Sequence, residues 1–408
     1  MKFKFSLKVH TQIFIAMVLG VLVGVIFGGF TGVLMPIADI FVRALRMMIV
    51  PLVFSSLVMG VVNLGNIRDL GKVGVRAFGY YLGTTVLAVV LGLVLVNVIH
   101  PGLGGNSNLL SHSVQADVIH RGDSFSMVDI FTQIVPENIV ESMVKGEMLP
   151  LIFFSLLVGS ALNLIGKKGA GFKSFVDGLN EVMLRITQWV MLLAPVGVFA
   201  LMATLVGRTG FAALKPLAFY FVVVLCGLAL HLGGTLSCFL LAVKVSPKRF
   251  FQAMVPALAT AFTTSSSLAT LPVTMDCLER RVGISNKISS FVAPLGATVT
   301  MDGTALFEVV AAVFIAQVYG FDLTIMQQVV IGLTATLGSI SAAGVPSAGL
   351  VTMVIILRSV NLPIEGIGLI LAVDRILDMF RTVVNVYGDA CGAAFIACLE
   401  GEKLDALS

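Results

Sequence analysis

The chain has 408 residues, of which 58% are apolar and only 12% charged, whereas soluble domains carry roughly 25% charged residues. Mean hydropathy is +1.03, and a single soluble core stops growing near about 250–300 residues, so the composition reads as a polytopic membrane protein. A net charge of +4 on 26 Lys and Arg excludes a phosphate-tracking nucleic-acid surface. Five cysteines without a CxxC pair, Cys226, Cys238, Cys277, Cys391 and Cys398, exclude a disulfide-stapled domain and read as small buried apolar residues.

The first ten residues, MKFKFSLKVH, are basic and precede an apolar stretch from Thr11 to Phe30. A signal peptide and a first spanning helix both fit this pattern. The length, near the ~20 residues a bilayer needs, and the lack of a clear small-x-small cleavage site favour the helix. Further apolar runs fall near 35–63, 78–100, 128–165, 183–207 and 216–243, and none alternates as a strand would. Helices are therefore predicted, because backbone groups in lipid need internal partners. The longest polar insert, 101–127, is expected to be an exposed loop. Lys2, Lys4 and Lys8, then Arg68, Lys72 and Arg76, then Lys167, Lys168 and Lys173, then Lys244, Lys248 and Arg249 fall on one side if each run crosses once. By the positive-inside rule that side, with the N-terminus, is cytoplasmic.

Segment 250–279 is followed by Arg280, Arg281 and Lys287. If it crossed the membrane, adjacent basic loops would face opposite sides. A segment that enters and returns removes the conflict, and its middle, residues 263–272 (TTSSSLATLP), suits a hairpin tip. Segment 322–362 resembles a counterpart from the other side, with no basic residue at its start and a small-residue middle at 338–349 (GSISAAGVPSAG). Two interrupted segments, each followed by a long helix (288–318 and 365–398), form an inverted pair, the sequence pointer to a transporter binding site. Ordinary helix-packing glycines in two plain spans are the alternative.

The last helix contains DRILDMFRTVVNVYGDA at 374–390, in which Asp374, Asp378, Arg381, Asn385 and Asp389 are spaced 4, 3, 4 and 4. These positions share one helical face. Ionisable groups at the bilayer centre cost at least about 2.5–3.5 kcal/mol each, so they mark a site rather than a lipid face. Three carboxylates and one guanidinium leave a formal charge of −2 that can recruit cations. Arg381 can grip a carboxylate with two parallel bonds, and Asp378 can accept an ammonium. A self-neutralising structural network is the other reading. Arg375 lies about 100° off this stripe, where pairing with a carboxylate and reaching toward the extracellular half are both open readings.

Upstream, residues 296–304 read GATVTMDGT. The Asp302-Gly303 step disfavours regular helix and is expected to free backbone carbonyls, which with carboxylates form the oxygen cage of a hard cation. Glu308 is a second intramembrane acid, readable as a proton carrier or as a quiet hydrogen-bonding group. The third helix opens on Tyr80, Tyr81, Leu82, Gly83, Thr84 and Thr85, whose hydroxyls could complete a cation cage, although such threonines usually bond to their own backbone.

On the motifs at 265–272 (SSSLATLP), 296–304 (GATVTMDGT), Gly344 to Pro346 and Asp374 to Asp389, the chain resembles the glutamate/aspartate transporter (dicarboxylate/amino acid:cation symporter) family over nearly its whole length. The resemblance implies an all-α membrane protein with eight transmembrane helices and two re-entrant helical hairpins of inverted orientation, assembled as a homotrimer in a bacterial inner membrane. It implies scaffold helices 1–2 over 1–75, helix 3 of a mobile transport domain over 76–100, an extracellular loop over 101–127 and scaffold helices 4–5 over 128–215. Helix 6 of the transport domain then covers 216–249, hairpin 1 covers 250–286, helix 7 covers 287–320, hairpin 2 covers 321–362, and helix 8 with a cytoplasmic tail covers 363–408. The implied activity is uptake of acidic amino acids coupled to sodium, protons or both by elevator-type alternating access, with no other cofactor. A C4-dicarboxylate or neutral amino acid symporter of the same fold is the alternative.

Position by position, the resemblance implies that Arg381 meets the substrate's side-chain carboxylate and Asp378 its amino group. Asn385 and Thr382 then meet the main-chain carboxylate, Ser267, Val345 and Gly349 close over the substrate, and Thr304 offers its hydroxyl. For sodium it implies Gly296, Thr300 and Asn385 carbonyls with Asp389, then carbonyls of Thr298, Ser339, Ile340 and Ala342 beside Met301, then Asp302 with Tyr81, Thr84 and Thr85. Thr300 stands where the family usually has Asn, which shortens the reach into the third cation site. Glu308 matches the position where proton-coupled members carry Glu, and Arg381 favours an acidic substrate.

Two other classes lack their marks. The five histidines form no HExxH pair, and GKKGAGFKS at 166–174 has one residue too many before Lys173 for a phosphate loop. A channel builds selectivity from symmetric rings or filters, whereas inverted hairpins in one chain point to alternating access.

Overall fold

The computed structural model describes residues 9–64, 72–103, 135–145, 148–209, 214–299, 301–341 and 348–404, and the secondary structure among them is helical throughout. Helix α1 (Val9–Phe27) runs through a 3-10 turn (Gly28–Leu34) into α2 (Met35–Leu64), and α3 spans Lys72–Ile99. Next come α4 (Ile139–Lys145), α5 (Met148–Ile165), α6 (Ala170–Leu192) and α7 (Ala194–Thr209). Helix α8 (Leu214–Leu230) passes through a π turn (His231–Leu236) into α9 (Ser237–Ala242). Then follow α10 (Pro247–Thr264), α11 (Ser267–Cys277), α12 (Asn286–Val299), α13 (Asp302–Tyr319), α14 (Ile325–Ser341), α15 (Ala348–Ser359) and α16 (Ile367–Leu399).

Among the described residues, the helical stretches Ile15–Phe41, Lys72–Ile99, Lys215–Ala242, Asn286–Tyr319 and Val373–Leu399 are long and apolar enough to cross a membrane, and Val50–Val62, Ala194–Thr204 and Ile325–Ser339 are shorter apolar helices. Large apolar side chains such as Phe30, Val75, Val98 and Val222 stand on the outer surface. This is a multi-pass membrane protein. Most of the expected insert at 101–127 and the basic residues Lys2, Lys4, Lys8 and Arg68 lie outside the described residues.

Small residues allow close crossings. A Cβ on Gly20 of α1 would lie 2.7 Å from the Phe199 carbonyl oxygen of α7, and one on Gly24 would lie 2.9 Å from that of Ala203. Without a hydrophobic drive between helices in lipid, such close backbone approach is what holds them together. Helix α2 packs on α5, α6 and α7, with Val58, Met59, Val62, Leu162 and Val176 forming a separate small core. The main core surrounds α13, buried at every residue from Asp302 to Ala316 and packed against α3, α8, α14, α15 and α16. Helices α10, α11 and α12 pack on α16 from its other side. The two groups meet where α2 touches α14 and α15 and where α7 touches α16.

Hydrogen bonds fix which helix ends share one end of the bundle. Arg76 at the start of α3 donates to the Leu399 carbonyl (3.1 Å) and the Glu400 carboxylate (2.6 Å) just past α16. Ser285, just before α12, donates through its N–H to Glu402 at 3.0 Å, and its hydroxyl bonds the same carboxylate. At this end, Ser289 and Asn286 donate to Glu279 and hold its carboxyl below the usual range. At the other end, Gln317 of α13 accepts from Gly102 N–H (3.0 Å) and donates to the Val96 carbonyl of α3 (3.2 Å). There too Asn97 of α3 pairs with Gln328 of α14 at 2.7 Å. A Cβ on Gly366, just before α16, would lie 3.1 Å from the Tyr319 ring. Helices α10 and α11, joined by Ser265 and Ser266, pack on each other, as do α14 and α15.

Two expectations need correction. The run at 183–207 is not one helix: α6 starts at Ala170 and a break at Leu193 separates it from α7. The segment 170–182 carries Lys173, Asp177 and Glu181, so hydropathy alone registers only its apolar second half. Of the cysteines, Cys277 and Cys391 are buried, but Cys226 and Cys238 are exposed on the outer face and Cys398 is intermediate. Lipid accepts a thiol as readily as the core does, so apolar surroundings in sequence did not imply burial.

Candidate functional site

The site is built where α13 begins against the middle of α16. Met301, with φ −139° and ψ 77°, leaves the helical region between α12 and α13, and its side chain caps nothing. The first N–H groups of a helix need outside partners. Here Asn385 of α16 supplies one: its Oδ1 accepts from Gly303 N–H at 2.8 Å, and its Nδ2 donates to the Thr304 hydroxyl at 3.3 Å. The break therefore falls ahead of the Asp302-Gly303 step rather than on it, and Gly303 is helical. Its glycine is required for another reason: a Cβ there would lie 2.8 Å from the Arg381 carbonyl oxygen.

The α16 stripe is buried along its length: Asp374, Asp378, Arg381, Thr382, Asn385 and Asp389 all lie inside the protein. Arg381 is 1% exposed. Its Nη2 lies 2.9 Å from Asp378 and 3.0 Å from Asp374, and its guanidinium carbon sits 3.8 Å above the Phe307 ring. Among the described residues, Nε and Nη1 are buried without a hydrogen-bond partner. Beside them lies Gly349, the second residue of α15, where a Cβ would stand 3.3 Å from Nη1 and 3.1 Å from the Thr304 methyl. A buried guanidinium with two open donors can accept an anion as partner. Arg375, for which the sequence left two readings open, donates to Asp378 Oδ2 at 3.2 Å. Both oxygens of Asp378 are thus held by arginines, and Thr382 donates to the Asp378 carbonyl at 2.7 Å.

One side of this site is rich in oxygen. Thr85 of α3 donates to Asp302 Oδ1 at 2.6 Å. Thr84 and Thr85 also reach the Tyr81 carbonyl at 3.1 and 2.9 Å. Tyr81 turns to the neighbouring acid: its hydroxyl donates to the Val292 carbonyl at 2.8 Å and lies 3.4 Å from the Asp389 carbonyl. Gly296 is packed so closely on the Asp389 carboxylate and the Tyr81 hydroxyl that a Cβ would collide with both. Ser339 is buried and bonds to the Thr336 carbonyl in its own helix at 2.8 Å, and Met301 is buried at the break. The backbones of Thr298 and Ile340 belong to α12 and α14, whereas Thr300, Ala342 and Val345 lie outside the described residues. Ser267 opens α11, buried next to Ser266, which caps that helix by accepting from Ala269 N–H at 3.2 Å.

Glu308, one turn beyond Thr304, is fully buried. Thr352 of α15 donates to its Oε1, and Oε2 has no hydrogen-bond partner among the described residues. The same hydroxyl lies 3.0 Å from the Gly349 carbonyl.

Three contributors escaped the sequence reading, Phe307, Thr352 and His231, and of the two readings open for Arg375 the pairing with a carboxylate is the one found. His231 is wholly buried, with Nε2 3.2 Å from Asp302 Oδ2. A lone histidine inside an apolar run was a usable signal, since an ionisable group in a span marks function by default. Phe307 and Thr352 carry no such mark.

Comparison with known proteins agrees with this chemistry. Residues 9–399 match the family described as Sodium:dicarboxylate symporter family. A proton/sodium-glutamate symport protein of Geobacillus stearothermophilus is 39% identical over 401 residues, covering 96% of this chain and 94% of that protein. One of the same name from Bacillus subtilis (strain 168) is 37% identical over 416 residues, covering 98% and 94%. Excitatory amino acid transporter 3 of Mus musculus is 37% identical over 448 residues, covering 96% and 85%. With residues 9–399 matched by the family and relatives 37–39% identical over nearly its whole length, this chain belongs to the sodium:dicarboxylate symporter family.

Proposed function

We propose that the protein is a secondary symporter that takes up acidic amino acids, glutamate foremost, with sodium, protons or both. The observation that carries this reading is the buried Arg381 guanidinium with two unpaired donors, of which Nη1 lies beside Gly349. In this reading Arg381 grips the substrate's side-chain carboxylate, Asp378 takes its ammonium, and Asn385, Thr382 and Thr304 orient the rest. Ser267, Val345 and Gly349 close over it. Sodium binds at Asp389 with carbonyls of Gly296, Thr300 and Asn385, at carbonyls of Thr298, Ser339, Ile340 and Ala342 beside Met301, and at Asp302 with Tyr81, Thr84 and Thr85. Glu308 carries the proton.

The architecture that goes with this is eight spans plus two re-entrant hairpins, α10–α11 and α14–α15, entering from opposite ends. The shared helix ends described above support it. The contact pattern supports a scaffold of α1, α2 and α4–α7 and a transport domain of α3 and α8–α16, moving as an elevator within a homotrimer. The protein sits in a bacterial inner membrane with its N-terminus cytoplasmic.

One observation favours a second substrate class. Arg375 and Arg381 already hold both oxygens of Asp378, which weakens its pull on an ammonium and suits a C4-dicarboxylate. Proteoliposomes under imposed sodium or proton gradients, each removed in turn, test both. Accumulation of glutamate above equilibrium, resistant to excess succinate, supports the first reading. Accumulation of succinate alone supports the second, and equilibration without accumulation rejects symport.

A further inference from the structure

We propose that His231 is a positioning residue for cation binding: it fixes the Asp302 carboxylate in the orientation in which that group meets a sodium ion. The inference rests on Asp302 being a cation ligand, as proposed above, and assigns a task to a buried group that reading leaves unused.

Three observations carry it. First, the Asp302 carboxylate is held from two elements at once, by the Thr85 hydroxyl of α3 on Oδ1 at 2.6 Å and by His231, in the π turn that follows α8, on Oδ2 at 3.2 Å. Each donor occupies one lone pair of one oxygen and leaves the other free, so the carboxylate is fixed in rotation yet still able to coordinate. Second, His231 is 0% exposed and, among the described residues, its Nδ1 has no partner. A carboxylate only accepts, so the bond to Asp302 requires the proton on Nε2. The side chain has one polar engagement, and it is with Asp302. Third, His231 opens the π turn of residues His231–Leu236. Such turns are rare and concentrate at functional sites. Here the turn also leaves Leu236 against Gly388, where a Cβ would lie 3.7 Å from Leu236 and 3.4 Å from Asp302 Oδ2.

Outer partners that orient a ligating group contribute about 10- to 100-fold to metal affinity. A ring placed there merely to fill space would have no need of an N–H.

The test is sodium-dependent glutamate uptake by the full-length protein in proteoliposomes, together with sodium-dependent glutamate binding to the purified protein. His231→Leu keeps the bulk and removes the donor, and His231→Gln keeps an amide N–H at similar reach. His231→Leu is expected to raise the half-saturating sodium concentration about tenfold, with high sodium restoring glutamate binding, and His231→Gln is expected to recover most of that loss. An unchanged sodium dependence in His231→Leu overturns the proposal, and so does an equal rise in both variants, which would make the ring's shape the cause. If His231→Leu does not fold, His231→Asn, with a donor set back by about one bond, decides: a weaker sodium response than His231→Gln supports the proposal, an equal one rejects it. Asp302→Asn separates the two layers. If it leaves sodium dependence intact, the cation role of Asp302 fails and this inference with it; if it raises the requirement while His231→Leu does not, only the inference fails.

Discussion

Asn385 and Gly303 are 82 residues apart and share a 2.8 Å hydrogen bond that caps the exposed backbone at the start of α13. The same amide reaches Thr304 at 3.3 Å, so one α16 side chain holds the broken helix in register with Arg381. Asn385→Ala leaves a buried N–H unpaired, at a cost of about 1–3 kcal/mol. A clear drop in the thermal unfolding midpoint of the purified protein, together with weaker glutamate binding, is the expected outcome. An unaltered midpoint would mean the bond contributes nothing.

Arg381 combines two carboxylate contacts, a Phe307 stack and two open donors. Charge-assisted bonds contribute about 1.5–3 kcal/mol each, so losing a two-bond grip lowers affinity for an acidic substrate by roughly a hundredfold or more. Arg381→Cys should abolish acidic uptake and admit neutral amino acids. Arg381→Lys should recover little, because an ammonium has neither the fork nor the planar face. Initial-rate uptake of glutamate and serine in proteoliposomes measures both, and undiminished glutamate uptake in Arg381→Cys would remove Arg381 from the substrate site.

The α1–α7 crossing depends on Gly24, whose Cβ position is 2.9 Å from a backbone oxygen that cannot step aside. Gly24→Leu should therefore separate the helices and lower stability by about 1–3 kcal/mol. A thermal scan in detergent reads this, and Val25→Leu, at an exposed position on the same helix, should leave the midpoint in place.

The α16 stripe was legible because its spacing is local and a charge on an apolar span has no indifferent position. The same holds for Asp302 and Glu308. What the sequence hid depends on partners far along the chain. The break at Met301 falls ahead of the Asp302-Gly303 step, and the helix that follows it is capped by Asn385 from another helix. His231 meets Asp302 across 71 residues. Arg375 looked displaced from the stripe on a helical wheel, yet a long side chain reaches back one turn to Asp378. Periodicity reports which face a Cβ leaves from, not where a guanidinium ends.

Glu308 and Thr352 join α13 to α15 in the core of the site. Thr352 has one hydroxyl proton and two acceptors, Glu308 Oε1 and the Gly349 carbonyl. An ionised Glu308 takes that proton, whereas a protonated one can donate to the hydroxyl and release it to Gly349. The protonation state of Glu308 is therefore communicated to the segment that lies against Arg381. The charged groups near Glu308 are Arg381 and, through it, Asp374 and Asp378 of α16, and α14 contributes no titratable side chain. Glu308→Gln should flatten the pH dependence of glutamate uptake, and an unchanged profile would remove Glu308 from proton coupling. Thr352→Val should alter the pH profile of the parent protein and add nothing in the Glu308→Gln background, since the two groups act as one unit. Additive effects across the four proteins would show that Thr352 and Glu308 act separately.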